Sequence, residues 1–151
     1  EPLPSALEAI RDADLILLGP GSLYTSVIPN LLVDGIVKAI RESDALKVYV
    51  CNVMTQEGET EGYTVSDHIA AIFAHSAQGL FRLCLTNSSP IPKAVAARYA
   101  EEGAERIRRG EAQVVIGTRS ARPGAGRSWG GRWPRWRAAL SATAPRPWPG
   151  S

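Results

Sequence analysis

The stretch Asp14-Leu15-Ile16-Leu17-Leu18-Gly19-Pro20-Gly21-Ser22 decides the fold. Four apolar residues run without alternation and stop at a glycine-proline-glycine turn. Alternation would mark a strand with one wet face. An unbroken apolar run of this length suits a strand buried on both faces of a parallel sheet. On either side the period changes to that of a helix. Upstream, residues 4–12 place Ala6, Leu7 and Ile10 on one face, with Ser5 as the expected cap. Downstream, residues 23–42 are helical in pattern, with Pro29 as a restart point and Leu31, Leu32, Ile36, Ala39 and Ile40 along one face.

The same alternation continues along the chain. Val48-Tyr49-Val50-Cys51 is a second short buried strand, followed by a polar loop over 52–64 and a helix from near Ser66 with Ile69, Ile72 and Phe73 as its apolar stripe. Residues 80–86 form a third strand, which Arg82 places nearer an edge. A helix over 92–102 and a last strand at 114–116 follow. Strands separated by helical crossovers of a dozen residues predict a parallel, doubly wound α/β sheet. With three or four strands, the sheet makes sense as one half of a larger one.

Charge divides the chain in two. Up to residue 118 there are ten basic and fifteen acidic residues, a net of −5; residues 119–151 carry seven arginines and no acid, a net of +7. The overall +2 is therefore not a nucleic-acid footprint for the folded part. The last 33 residues hold all four tryptophans with many Arg, Ala, Pro and Gly, the residues of GC-rich codons. They are expected to be a disordered, irregular tail and the product of out-of-frame translation, which a reading of the gene in all frames would test. An Arg/Trp arm for nucleic acid or anionic lipid is the functional alternative. The domain boundary is thus placed between 1–118 and 119–151. Cys51 and Cys84 lie in apolar runs and read as buried thiols. No run approaches the ~20 apolar residues of a membrane span. The expectation is a cytoplasmic protein with no membrane and no nucleic-acid partner.

Two loops follow strand ends, where ligands bind in such sheets. In the first, Gly19 and Gly21 allow bends where a side chain would clash, and Ser22, Thr25 and Ser26 set hydroxyls beside a helix N-terminus. A phosphate or carboxylate is the natural guest. The spacing is neither a P-loop nor a dinucleotide fingerprint, and it equally suits a plain strand-to-helix turn capped by serine. In the second loop Asn52 and Thr55, at the strand end, are better ligand candidates than Glu57, Glu59 and Glu61, which read as solvated charges. Asp67 and His68, at the start of the next helix, stand close enough to support a bound group. His68 and His75 are spaced seven apart, which does not suit a metal pair, and no metal or catalytic residue is assigned.

These two loops with their flanks closely resemble a known family. The strings from Leu17 to Val33 (LLGPGSLYTSVIPNLLV) and from Val48 to Gln56 (VYVCNVMTQ), continued by Gly58-Glu59-Thr60 and residues 62–68, are similar to the two signatures of the gluconeogenesis-factor (YvcK-like) branch of the CofD-like family. The likeness covers roughly residues 5–103, as a C-terminal half. It implies a Rossmann-like fold with a mostly parallel sheet and flanking helices, here a partial domain, that binds a nucleotide. It implies ligand contacts from Gly19, Gly21, Ser22, Leu23, Thr25, Ser26, Asn52, Met54, Thr55 and Tyr99, the last rated a partly buried aromatic by its own pattern. The branch implies a regulator of gluconeogenic growth and cell shape that binds UDP-N-acetylglucosamine. The wider family implies a 2-phospho-L-lactate transferase acting on a deazaflavin precursor, for which alone Mg²⁺ is expected. A nonfunctional truncated fragment is the third alternative. A homo-oligomer is compatible with the sequence. The family's N-terminal glycine-rich strand is expected to be missing, and past Gly103 the chain is expected to leave the family pattern.

Overall fold

The computed structural model describes residues 1–108, 110 and 115–117. The predicted tail at 119–151 lies outside the described residues. Helix α1 (Pro4–Asp12) leads into β1 (Leu15–Leu18). A π-helical turn (Leu23–Val27) continues into α2 (Ile28–Leu31), and α3 (Ile36–Glu42) leads to β2 (Leu46–Val50). Then come α4 (Val65–Ala74), β3 (Leu83–Leu85), α5 (Lys93–Glu101) and β4 (Val115–Gly117). All strand pairs are parallel, in the order β1-β2-β3-β4. The α/β class and the parallel sheet read from the sequence are those of the structure.

Local details differ for physical reasons. Helix α1 starts at Pro4, with Leu3 at the cap position and no side-chain cap bond, so Ser5 lies inside it. Over residues 23–42 the break falls at Gly35, not Pro29. Proline is tolerated in a first helical turn, and here it sits at the start of α2. Gly35 has φ 84°, a left-handed conformation that a side chain disfavours. The break turns Leu32 out to solvent while Leu31 stays buried. Helix α4 opens on a capping box. Thr64 Oγ1 accepts from the Asp67 N–H at 3.3 Å, and the Thr64 N–H donates back to Asp67 Oδ2 at 2.8 Å. The N–H and hydroxyl of Thr64 hold the Asp67 carboxyl below the usual carboxylate range. Strand β3 lies between β2 and β4 and is not an edge. Arg82 precedes it, in a turn that buries Leu80 and Phe81.

One continuous core forms on one side of the sheet. It joins Leu18, Tyr49 and Cys84 to Leu23, Ile28 and Leu31 of the first crossover and to Ile69 and Ile72 of α4. Tyr49 packs on Phe81 with ring centroids 5.5 Å apart, and Phe81 on Phe73 at 4.9 Å. Burial pushes the Cys51 thiol up to about 11 and that of Cys84 up to about 12, so both stay protonated near neutrality. The register puts Leu15, Leu17, Leu46, Val48 and Leu85 on the other side. There Leu15 is 42% exposed and Leu17 55%. Val48, in the middle of that face, is buried, so the expectation of a sheet covered on both faces is met in full on one face and only around Val48 on the other among the described residues. The apolar run of β1 was written for two covered faces, and the edge position of β1 leaves half of it in water. Among the described residues no single helix is long and apolar enough to cross a membrane.

Replacing Leu17 with Lys tests this one-faced core. Stability should change by no more than about 0.5 kcal/mol, as for an exposed site, and sedimentation should show less self-association. A large loss of stability on thermal melting would mean that this face is packed.

Candidate functional site

The parallel pairing of β1 and β2 brings both loops to one rim of the sheet, and side chains then join them. The Gly21 N–H donates to Asn52 Oδ1 at 3.1 Å, while Asn52 Nδ2 donates to the Gly21 carbonyl at 3.0 Å. An asparagine side chain thus pairs with the backbone N–H and carbonyl of one residue, 31 positions away. The Ser22 hydroxyl donates to Gln56 Oε1 at 2.7 Å. The Leu23 and Tyr24 N–H groups donate to the two oxygens of Glu59 at 3.1 and 3.2 Å. Farther out, the Tyr24 and Tyr63 hydroxyls meet at 2.9 Å. That contact, with burial behind it, pushes the Tyr24 phenol up to about 12.

Gly19 makes the approach possible. It adopts φ 75°, and a Cβ there would lie 2.8 Å from the Val50 carbonyl oxygen, so any side chain would push β1 and β2 apart. The Gly19–Pro20 peptide is cis. Gly21 is different. A Cβ on it would meet nothing closer than 3.4 Å, so its backbone matters through Asn52 and not through a clash.

The other side of the polar loop is held by the segment after α5. Thr55 N–H donates to the Glu105 carbonyl at 2.7 Å, and the Glu105 N–H donates to Thr55 Oγ1 at 2.8 Å. The Ile107 N–H donates to the Val53 carbonyl at 3.1 Å, and Met54 faces Arg106 in an antiparallel bridge. Within the loop, the Gln56 N–H donates to Thr60 Oγ1 at 2.9 Å and the Thr60 N–H to the Gln56 carbonyl at 2.9 Å. A thirteen-residue loop of polar sequence is thereby an ordered plug with buried Thr55 and Thr60.

Between the plug, Pro20 and the C-terminal end of α5 lies an open cleft of about 560 Å³. Asn52, Met54, Thr55 and Tyr99 line it, so four of the sequence-predicted ligand residues converge there. The other predicted residues are placed elsewhere. Ser22 and Leu23 are tied to the plug, and the Leu23 side chain is in the core. Thr25 and Ser26 are exposed and do not line the cleft. Asp67 is occupied by the capping box. His68 is 0% exposed, its Nδ1–H donates to the Thr64 carbonyl at 2.9 Å, and its Nε2 has no partner among the described residues. It stands edge-on to the Tyr63 ring and away from the cleft lining.

The three glutamates do not act alike. Glu59 is half-buried and supplies the cap that the π-helical turn lacks locally, since Ser22 makes no cap bond. Glu61 accepts from the Gly58 N–H, and Glu57 lies against Gly103 at the cleft. The anion predicted at this helix start is thus an internal carboxylate. A local capping box is readable from four residues; a cap lent from 36 residues away is not. Among the cleft residues that sequence reasoning missed are Pro20, Gln56, Glu57 and Glu102, which the β1 turn, the polar loop and the end of α5 bring together from distant parts of the chain.

A parallel α/β half-sheet with a ligand-sized cleft at its C-terminal rim is the class these features define. The family model for 2-phospho-L-lactate transferase CofD matches residues 1–120, and the chain belongs to this family. The match extends past Gly103, where the sequence pattern was expected to leave the family. The gluconeogenesis factor of Halalkalibacterium halodurans is 58% identical over 107 residues, covering 71% of this chain and 33% of that protein. The gluconeogenesis factor of Bacillus subtilis is 48% identical over 107 residues, covering 71% and 34%. A crystal structure of a UPF0052 family member from Bacillus halodurans shares 57% identity with a TM-score of 0.72, covering 74% of this chain and 36% of that one. The chain spans about a third of the length of the curated relatives it matches.

Glu59→Ala should cost about 1–2 kcal/mol, the range for losing a helix cap, and should speed amide exchange at Leu23 and Tyr24. Glu59→Gln should recover part of both effects. Unchanged exchange at these two amides in Glu59→Ala would show that the carboxylate does not hold them.

Proposed function

We propose that the cleft beside Asn52, Met54, Thr55 and Tyr99 takes a nucleotide-sugar, UDP-N-acetylglucosamine, in a cytoplasmic regulatory factor for gluconeogenic growth and cell shape. The observation that carries this reading is the convergence of those four side chains on one cleft at the sheet's C-terminal rim. The names of the relatives supply the regulatory side: both proteins of H. halodurans and B. subtilis are called gluconeogenesis factors. Chemically the lining suits a sugar. The Thr55 hydroxyl accepts from Glu105 and keeps its own proton to donate. Tyr99 adds a half-buried aromatic ring in the cleft lining, with the Arg98 guanidinium 5.7 Å from its centroid, the kind of surface on which planar or sugar rings pack.

A second reading is favoured by the name of the matching family model, 2-phospho-L-lactate transferase. Under it the same cleft would serve a guanosine diphosphate-linked donor, with Mg²⁺ and a deazaflavin acceptor. Saturation-transfer NMR on the 151-residue chain separates the two. UDP-N-acetylglucosamine should give transfer that falls by about tenfold in Tyr99→Ala, the loss of roughly one good contact, with no turnover of the guanosine-linked donor. Binding of the guanosine compound alone, with turnover when Mg²⁺ and the acceptor are added, would establish the transferase.

A further inference from the structure

The cleft has a neighbour. A groove of about 400 Å³ lies against it, and the two share Met54 and Ala104 as a common wall. The two halves differ in charge. The cleft is lined by Glu57 and Glu102 and by no cation. The groove has an apolar floor that includes Ile91 and Ala96, with Glu105 and Arg106 beside it. Among the described residues lining either cavity, Arg106 is the one cation.

Its position is fixed from the backbone. Arg106 is the bridge partner of Met54, and the residues on each side of it are bonded to the polar loop: Glu105 to Thr55, and Ile107 to Val53. The guanidinium therefore starts from a rigid point at the wall shared by both cavities. Its side chain is exposed, and the ion pair formed among the described residues is Lys38–Glu42, not one with Arg106. A diphosphate placed in the cleft would meet two carboxylates of like charge, and the nearby Arg98 is engaged on the Tyr99 ring, 5.7 Å from its centroid, and is not part of the lining. Placed across Met54, it would meet one carboxylate, Glu105, and the planar fork of N–H donors of Arg106, which matches phosphate oxygens.

We propose that Arg106 binds the diphosphate of the ligand, which lies astride Met54 with its phosphates toward the groove and its neutral, hydroxyl-bearing sugar in the acidic cleft. Glu57 and Glu102 then accept hydrogen bonds from sugar hydroxyls and repel a second anion. The assignment rests on the nucleotide-sugar reading for its sugar half. The phosphate half is separable from it by experiment.

The test uses inorganic pyrophosphate and UDP-N-acetylglucosamine, each titrated into the 151-residue chain at low ionic strength and followed by amide shifts of residues 53–56 and 104–107. Pyrophosphate should bind, and Arg106→Gln should weaken it by about tenfold, as for one charged contact. Arg106→Lys should recover part of the affinity, and Glu57→Gln should tighten it by about twofold, the effect of removing one exposed like charge. A mere structural role for Glu57 would not tighten binding. Arg106→Gln should melt as the parent does, because the side chain is exposed. Pyrophosphate that fails to bind, or binds Arg106→Gln as well as the parent, overturns the assignment. If the parent and Arg106→Gln take UDP-N-acetylglucosamine equally, Arg106 is excluded while the nucleotide-sugar reading stands. If pyrophosphate binds through Arg106 and the nucleotide-sugar does not bind, the phosphate site stands and that reading falls.

Discussion

The side-chain amide of Asn52 paired with the backbone N–H and carbonyl of Gly21 is the contact on which the rim depends. Gly21 sits at a sharp turn after β1, where these two groups, which belong to successive peptides, would otherwise face water or an unmatched neighbour, and a polar group left unpaired costs about 1–3 kcal/mol when desolvated. Asn52 can satisfy both the N–H and the carbonyl at once, because an asparagine amide carries a donor and an acceptor side by side. Gly19 allows the approach, since its missing Cβ leaves the Val50 carbonyl room. Glu59 extends the same seam onto the following helical turn. The polar loop is thereby held to β1 on one side and to residues 105–107 on the other, and the cleft is the space left on the ligand side of that seam.

Much of this was readable from the residues. Apolar runs at 15–18 and 48–51 gave strands, the intervening periodicity gave helices, and helical crossovers of a dozen or more residues gave parallel pairing. Those features are local, and local preference here agrees with the fold. Asn52 and Thr55 were singled out because polar residues at a strand end have few reasons to be there. Their use was less visible. Thr55 spends its backbone and one lone pair on Glu105, fifty residues away, and no period in the sequence announces a pairing of that range. Glu59 looked like one of three solvated acids because its two partners are backbone amides, which every sequence has. The bare face of β1 was hidden for the opposite reason. Leu15 and Leu17 have the composition of buried residues, and composition reports what a strand is suited to pack against, not what the described residues supply.

The arrangement also changes where a ligand's charge can sit. A glycine turn before a helical turn is a familiar anion cradle, and that was the natural expectation from Gly19 to Ser26. In this chain the first amides of the turn are held by the chain's own carboxylate. The space for a ligand lies on the far side of Asn52, between Pro20 and Tyr99, where Thr55 and Tyr99 join apolar side chains and where Glu57 and Glu102 line the wall.

The exchange rate of the Gly21 amide proton tests this seam most directly. With Asn52 in place it should exchange slowly, at a rate comparable with the strand amides of β2, and in Asn52→Ala it should exchange at a rate near that of an open turn while β2 stays protected. Fast exchange at Gly21 in the unaltered chain would contradict the pairing and, with it, the placement of the two loops on one rim.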